Sequence, residues 1–267
     1  MERGWTNGMR PLGFGALTVA AAIVMTNVVP PQAAAGGDPA ALKVCTTGDY
    51  APLTYRDPAT GQYSGVDIDM ATDLAARLGR HPVFVATSWS TLGADLTSPG
   101  TCDIAMGGIT DTPERRRIAE VTAPYLASGK TPVVPAANAG RLSSIDDINA
   151  PGVRVIENSG GTNEQFARKN FPDAQITIWP DNTTIFEQLA AGNADVMVTD
   201  AIEAIYQSSR QPGLVAQHPE HPFTSEAKAY LLPKGSPLAG PTDAWLTAAL
   251  SDGTFAGIYQ RWLHRAP

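Results

Sequence analysis

Two acidic residues follow an apolar run in the second half of the chain. The run 194–198 leads into Thr199 and Asp200, and Glu203 stands one helical turn further on. In an α/β domain, ligands bind at the carboxyl ends of strands, where the next helix begins. Asp200 therefore stands where a binding protein would hold a cation, and Glu203 stands where a proton could be delivered to a bound substrate. The alternative for Glu203 is an ordinary acid in the first turn of a helix, stabilised by the helix dipole.

A second group with chemical potential follows a predicted strand in the first half. Gly107 and Gly108 let a ligand approach the backbone closely. Thr112 followed by Pro113 predicts the start of a helix. Arg115 then lies beside the predicted site, where its planar guanidinium suits a two-point grip on a carboxylate. The alternative is that Arg115 belongs to an exposed basic run.

Short apolar runs alternate with helical patterns along the first half, which predicts a mostly parallel sheet with helices on its faces. The predicted strands cover residues 42–45, 82–86 and 104–106, and the predicted helices cover residues 67–79 and a stretch after Trp89.

The same alternation restarts in the second half. Predicted strands cover residues 153–156, 176–179 and 196–198, predicted helices cover residues 163–169, 183–191 and 201–209, and extended segments cover residues 129–135 and 228–233. Two more helices, predicted over 242–250 and 255–264, are too few to form a domain alone. We therefore predict that the chain crosses into a second lobe and returns, with 36–131 and 229–267 as lobe 1 and 132–228 as lobe 2. The two crossings are expected to be parallel strands that form a hinge, and the cleft between the lobes is the expected site.

Residues 1–35 have the layout of a cleavable signal peptide. Arg3 and Arg10 precede an apolar run over 12–29, and 33–35 form an A-x-A cleavage site. The alternative is a retained N-terminal anchor. The signal peptide predicts a periplasmic or otherwise exported protein that contacts no membrane after cleavage.

Charge and composition exclude several classes of partner. The formal net charge of −7 disfavours nucleic-acid binding, which requires a basic face. The four histidines show no metal-ligand spacing, so no metal is expected. Cys45 and Cys102 either form a disulfide, as an oxidising compartment allows, or are two separate buried thiols.

Several motifs of the mature chain resemble the periplasmic amino-acid-binding family, the two-lobed type II solute-binding proteins of ABC transporters. These motifs are DYAP at 49–52, GVDID at 65–69, CDIA at 102–105, ITDTPER at 109–115 and APY at 123–125. The resemblance implies that Arg115 grips the α-carboxylate of a ligand and that Asp200 holds its ammonium group.

Further motifs resemble the cyclohexadienyl dehydratases, exported enzymes built on the same fold. These motifs are TSW at 87–89, GKTP at 129–132, NSGGTNE at 158–164, PDNTTIF at 180–186, TDAIEA at 199–204, HPEHPF at 218–223 and KAYLLP at 228–233. The chain departs from the expected pattern at Ser159, where a proline is expected. The resemblance implies conversion of prephenate to phenylpyruvate and of L-arogenate to L-phenylalanine, without a metal or an organic cofactor. It also leaves a homo-oligomer open.

The chemistry of this reaction agrees with the residues available. The substrate loses a ring carboxylate as CO₂ and a hydroxyl as water. This requires groups that bind the substrate carboxylates and an acid that protonates the departing hydroxyl. Glu203 is the predicted general acid, and Asn158 and Lys228 complete the predicted catalytic set. The predicted substrate-binding residues are Tyr50, Trp89, Gly108, Thr110, Arg115, Gly161, Thr162, Asn163, Asp200 and Gln207. The alternative function is a non-catalytic amino-acid or carboxylate-binding protein of an ABC transporter, which would share Arg115 and Asp200.

Overall fold

The structure is a computed structural model that describes residues 1–5, 8, 38 and 40–264. Most of the predicted signal peptide therefore lies outside the described residues. Asp38–Pro267 form one compact unit. Among the described residues, no helix has both the length and the apolar character needed to span a bilayer.

The strands and helices alternate in the order expected from the sequence. The strands are β1 (Ala41–Thr46), β2 (Asp49–Tyr50), β3 (Thr54–Arg56), β4 (Tyr63–Ser64), β5 (His81–Ala86), β6 (Ile104–Ala105), β7 (Ala119–Val121), β8 (Leu126–Ser128), β9 (Lys130–Pro135), β10 (Arg154–Asn158), β11 (Gln175–Trp179), β12 (Met197–Asp200), β13 (Leu214–Ala216), β14 (Glu226–Lys228) and β15 (Leu231–Pro233). The helices are α1 (Val66–Arg77), α2 (Leu92–Thr97), α3 (Pro113–Ile118), α4 (Ile145–Ile148), α5 (Thr162–Asn170), α6 (Ile185–Ala190), α7 (Ala201–Arg210), α8 (Ala239–Ser251) and α9 (Thr254–Leu263).

The first lobe is built on a five-stranded sheet in the order β5-β1-β6-β15-β7. β1 runs parallel to β5 and β6, whereas β15 runs antiparallel to both of its neighbours. Met70 and Leu74 of α1 are fully buried in a core that also contains Trp245 of α8 and Phe255 of α9. The last two helices therefore pack on the first lobe, although they follow the second lobe in the sequence.

The second lobe has a mixed sheet flanked by α5, α6 and α7. β10 and β11 are parallel, and a parallel bridge between Val155 and Val196 joins β10 to the segment that leads into β12. β9 lies between β12 and β13 and is antiparallel to both. Ile156, Phe186 and Met197 are buried in the core between this sheet and α6. This packing fixes the strand ends that carry the site.

The hinge corrects one expectation from the sequence. β8 leaves the first lobe and β14 returns to it, and the two strands pair antiparallel over Leu126–Ser128 and Glu226–Lys228. The prediction of parallel crossing strands was wrong, because an outgoing and a returning segment that lie side by side must run in opposite directions.

A disulfide joins Cys45 of β1 to Cys102, which lies just before β6. The two Cα atoms are 5.7 Å apart, and β1 and β6 are direct neighbours in the sheet. Both cysteines are buried with Leu92 and Leu96 of α2. Of the two alternatives that the sequence left open, the structure contains the disulfide.

Candidate active site

A small cavity lies between the lobes, where the ends of β10 and β12 meet α5 and the first-lobe loops. Its volume is about 20 Å³, which is space for about one water molecule. It is lined by Tyr50, Trp89, Gly108, Thr110, Asn158, Gly161, Thr162, Asn163, Asn182, Asp200 and Lys228. All but three of the predicted site residues are in this set. The lobes are therefore closed on each other, and a larger substrate can enter only when they separate.

The start of α5 forms one wall of the cavity. β10 ends at Asn158, a tight turn follows, and Gly161 is the N-cap of α5. The unpaired N–H groups at a helix start carry partial positive charge and favour anions. Gly160 has a φ of +81°, and a Cβ there would lie 2.9 Å from the backbone nitrogen of Ser90 in the first lobe. Glycine at this position therefore permits the lobes to close.

Asp200 is the centre of a buried ionic network. Its Oδ1 accepts a hydrogen bond from Lys130 Nζ at 3.0 Å, and its Oδ2 accepts one from Lys228 Nζ at 2.6 Å. The hydroxyl of Tyr50, from the first lobe, also donates to Oδ2 at 2.6 Å. Burial by itself would raise the pKa of Asp200, but the two lysines outweigh that effect and lower it. Asp200 is therefore ionised and fully engaged by groups of the chain itself.

Lys130 is a site residue that the sequence analysis missed. The residue is 0% exposed, and its Nζ also donates to Thr162 Oγ1 at 2.9 Å and to Asn163 Oδ1 at 2.6 Å. A lysine at the start of an otherwise apolar strand was the available signal. Lys228 differs because its second partner, Thr110 Oγ1 at 2.8 Å, belongs to the first lobe. Burial lowers the pKa of Lys228, and Asp200 opposes that shift.

Glu203 lies behind the cavity wall with its side chain fully buried. The hydroxyl of Thr199 donates to Oε2, and Nδ2 of Asn182 donates to Oε1 at 3.3 Å. Burial raises the pKa of Glu203 to about 8, although the Thr199 bond lowers it in part. The nearby charges of Asp200 and Asp49 add to the rise. Glu203 is therefore mostly protonated at neutral pH and holds a proton that it can donate.

Asn158 and Asn163 connect these two centres. Nδ2 of Asn163 donates to Oδ1 of Asn158 and to Oγ1 of Thr199, each at 3.0 Å, while its Oδ1 accepts from Lys130. Each contact satisfies a polar group that would be expensive to bury alone. The network therefore runs from the lysines through Asn163 to the hydroxyl that touches Glu203.

Arg115 and Gln207 are not brought to the small cavity. Arg115 lines a neighbouring cavity of about 370 Å³, where its Nη1 donates to the carbonyl of Thr110 at 2.6 Å. Because Trp89, Gly161 and Thr162 line both cavities, Arg115 remains next to the predicted site. Gln207 lines a third cavity of about 590 Å³.

A buried acid supports the first-lobe wall. Asp67 of α1 is 0% exposed and accepts hydrogen bonds from the backbone N–H of Gly108 at 2.6 Å, from Tyr125 at 2.6 Å and from Tyr230 at 2.9 Å. Burial raises the pKa of Asp67 to about 6, although these donors oppose the rise. Gly108 has a φ of +70°, and a Cβ there would overlap the ring of Tyr50. Glycine at 108 therefore lets Tyr50 reach Asp200.

Comparison with known proteins places this geometry in a family. The pattern of the bacterial extracellular solute-binding proteins, family 3, matches residues 42–265. The chain belongs to this family. Among the relatives of this solute-binding protein, the cyclohexadienyl dehydratase of Pseudomonas aeruginosa is 46% identical over 222 residues, which cover 83% of this chain and 82% of that protein.

Two similar solved structures add to the comparison. The ancestral amino acid-binding protein AncCDT-1, described as a precursor of cyclohexadienyl dehydratase, is 36% identical with a TM-score of 0.77, over 84% of this chain and 96% of that chain. A variant of the ancestral cyclohexadienyl dehydratase AncCDT-3 is 46% identical with a TM-score of 0.52, over 85% of this chain and 93% of that chain. The predicted two-lobed α/β fold and both resemblances are thereby confirmed. Because the fold serves binding proteins and enzymes alike, the chemistry of the site must separate the two functions.

Proposed function

We propose that the protein is an exported cyclohexadienyl dehydratase, which converts prephenate to phenylpyruvate and L-arogenate to L-phenylalanine. The 46% identity to an enzyme of that name supports the reaction class. The observation that carries the proposal is Glu203, a fully buried carboxyl group whose pKa of about 8 keeps it protonated beside a cationic network.

The reaction needs one proton and no redox partner. The bond between the ring and its carboxylate breaks and releases CO₂, while the electron pair moves into the ring. The bond between the ring and its hydroxyl then breaks, the ring becomes aromatic, and the hydroxyl leaves as water with the proton of Glu203. General acid catalysis of this kind typically contributes about 10² to 10⁴ in rate. Glu203 is left as a carboxylate and must regain a proton before the next turnover.

The charges around the cavity favour an anionic substrate. Lys130 and Lys228 both contact Asp200, Lys130 Nζ also lies 3.7 Å from Oε2 of Glu226, and Glu203 is neutral when protonated. Arg115 and the start of α5 add further positive potential on the side of Trp89. An anionic substrate can therefore bind on that side, and Arg115 is the proposed partner of one of its carboxylates.

The main alternative is a non-catalytic binding protein that carries an amino acid or a carboxylate. A free amino acid needs an anionic partner for its ammonium group, and Asp200 already contacts two lysines of the chain. A protonated acid behind the cavity also has no evident use in ligand transport. Both features favour the enzyme.

The decisive experiment measures phenylpyruvate formation from prephenate by the wild type and by Glu203→Gln. We expect the wild type to turn over and Glu203→Gln to lose about 10²- to 10⁴-fold in kcat with little change in KM. The matched control is Glu187→Gln, an exposed acid of α6 that should keep full activity. Binding without turnover by the wild type would establish the alternative function. Equal turnover by both proteins would remove only the role of Glu203.

The family and the predicted signal peptide both support export as part of the proposal. The family is extracellular, and the sequence predicts cleavage near residue 35. Cell fractionation with N-terminal sequencing of the mature chain would test this. A full-length protein with an intact N-terminus, found in the membrane fraction, would support the retained anchor.

Size-exclusion chromatography with light scattering on the same purified protein would show whether the enzyme forms a homo-oligomer.

A further inference from the structure

Asn182 links the proposed acid to the opposite lobe. It lies in the short loop between β11 and α6 and is only 4% exposed. Its Nδ2 donates to the backbone carbonyl of Asp49 at 2.8 Å and to Glu203 Oε1 at 3.3 Å. Asp49 begins the β2–β3 hairpin of the first lobe, whereas Asn182 and Glu203 belong to the second lobe. A single amide group therefore contacts the acid and the other side of the cleft.

The contact with Asp49 decides which end of the amide faces Glu203. An asparagine side chain can present either its oxygen or its NH₂ group to a neighbour. The carbonyl of Asp49 can only accept, so the 2.8 Å contact requires Nδ2 on that side. The same Nδ2 faces Glu203 Oε1, while the hydroxyl of Thr199 occupies Oε2. Both carboxyl oxygens of Glu203 are therefore held by neighbouring groups in the closed protein.

We propose that Asn182 is a positioning residue, which holds the Glu203 carboxyl in its proton-donating orientation only while the two lobes are closed. This inference rests on the proposed dehydratase function. When the lobes separate, the hydrogen bond from Asn182 Nδ2 to the Asp49 carbonyl is broken. The Asn182 amide can then turn either its oxygen or its NH₂ group toward Glu203. The acid is thus oriented after the substrate is enclosed and not before.

Asn182 also stabilises the product state of the acid. After proton transfer Glu203 is a buried carboxylate, and a donor aimed at Oε1 favours that charged form. Hydrogen bonds to charged groups are among the stronger ones in proteins. Loss of the donor should therefore weaken the acid and raise its pKa, on top of the rise that burial already causes.

The test is Asn182→Leu, which keeps the approximate size of the side chain and removes the donor. We expect kcat for prephenate to fall about 10- to 100-fold, with KM changed less than threefold. The basic limb of the kcat–pH profile should shift to higher pH, because Glu203 must be protonated to act. The matched control is Thr183→Ala, since Thr183 is the exposed next residue and its hydroxyl donates to Asp181 of the same loop. A change in stability alone would not move a pH limb, so this readout separates positioning from a structural role.

Asn182→Asp provides a second variant of the same size, in case leucine impairs folding. It also removes the donor, and it places a carboxylate beside Glu203, so kcat should fall further and the basic limb should shift in the same direction. Full kcat with an unshifted basic limb in both variants would overturn the inference, while the dehydratase function would still stand. Absence of turnover by the wild type would instead remove the proposed function, on which this inference depends.

Discussion

Replacement of Glu203 by glutamine should make the protein more stable at neutral and alkaline pH. The ordinary pKa of a glutamate is 4.5, and burial raises that of Glu203 to about 8. The folded protein therefore keeps a proton that the unfolded chain releases above pH 4.5, and stability is lost as pH rises from 4.5 through 8. At pH 7 the interval above 4.5 is 2.5 units, and about 1.4 kcal/mol per unit gives a penalty of about 3 to 4 kcal/mol. Glutamine has no such penalty and can still bond to Thr199 and Asn182.

The assay is urea unfolding of the wild type and Glu203→Gln at pH 5, 6, 7 and 8. The difference in free energy of unfolding should grow by about 3 kcal/mol in favour of the variant between pH 5 and pH 8. Other titrating groups are common to both proteins, so their contributions cancel in this difference. Glu187→Gln, an exposed acid of α6, is the matched control for the loss of one carboxyl group. A flat difference for Glu203→Gln would show that Glu203 is ionised in the fold and would refute its assignment as the acid.

Lys130 and Gly108 give two further predictions. Lys130→Met leaves Asp200 with a single lysine. We expect KM for prephenate to rise about tenfold, measured by steady-state kinetics. We expect the free energy of unfolding to fall by about 3 to 5 kcal/mol, measured by urea unfolding. An unchanged KM would show that Lys130 does not contribute to anion binding. Gly108→Ala should destabilise the protein by about 1 to 3 kcal/mol more than Gly79→Ala in urea unfolding. Both glycines have positive φ, but only a Cβ at 108 meets the ring of Tyr50, so equal losses would contradict that packing.

Periodicity was sufficient to predict most secondary-structure elements. The helix expected over 67–79 is α1, Val66–Arg77, and the strand expected over 82–86 is β5, His81–Ala86. Such patterns are local, because one face of each element must be apolar to be buried. The direction of the hinge strands was not predicted correctly, since pairing depends on the path of the chain between the lobes.

Residues at strand ends and helix starts were the predictable part of the site. Lys130 and Asn182 were missed because their partners are distant in sequence, such as Asp200 for the lysine and the Asp49 carbonyl for the amide. Burial of a lysine depends on oxygens that several elements supply, and the apolar residues that follow Lys130 indicate its burial only indirectly.

Gln207 was expected beside Glu203 because the two are one turn apart on α7. The structure instead places Gln207 in the third cavity, where its Oε1 accepts from Gln211. Side chains of a helix lean toward its N-terminus, so Glu203 in the first turn of α7 reaches Thr199 and Asn182 behind the small cavity, whereas Gln207 does not. A shared helix face therefore does not imply a shared pocket.

The ammonium groups of Lys130 and Lys228 compete with any free amine for the carboxylate of Asp200. A zwitterionic amino acid that enters the cleft must displace an ammonium group that is covalently part of the chain, and such a group is present at a high effective concentration. Free amino acids in the surrounding medium should therefore inhibit this protein poorly. Prephenate carries no amine and avoids the competition, so we expect it to be preferred over L-arogenate.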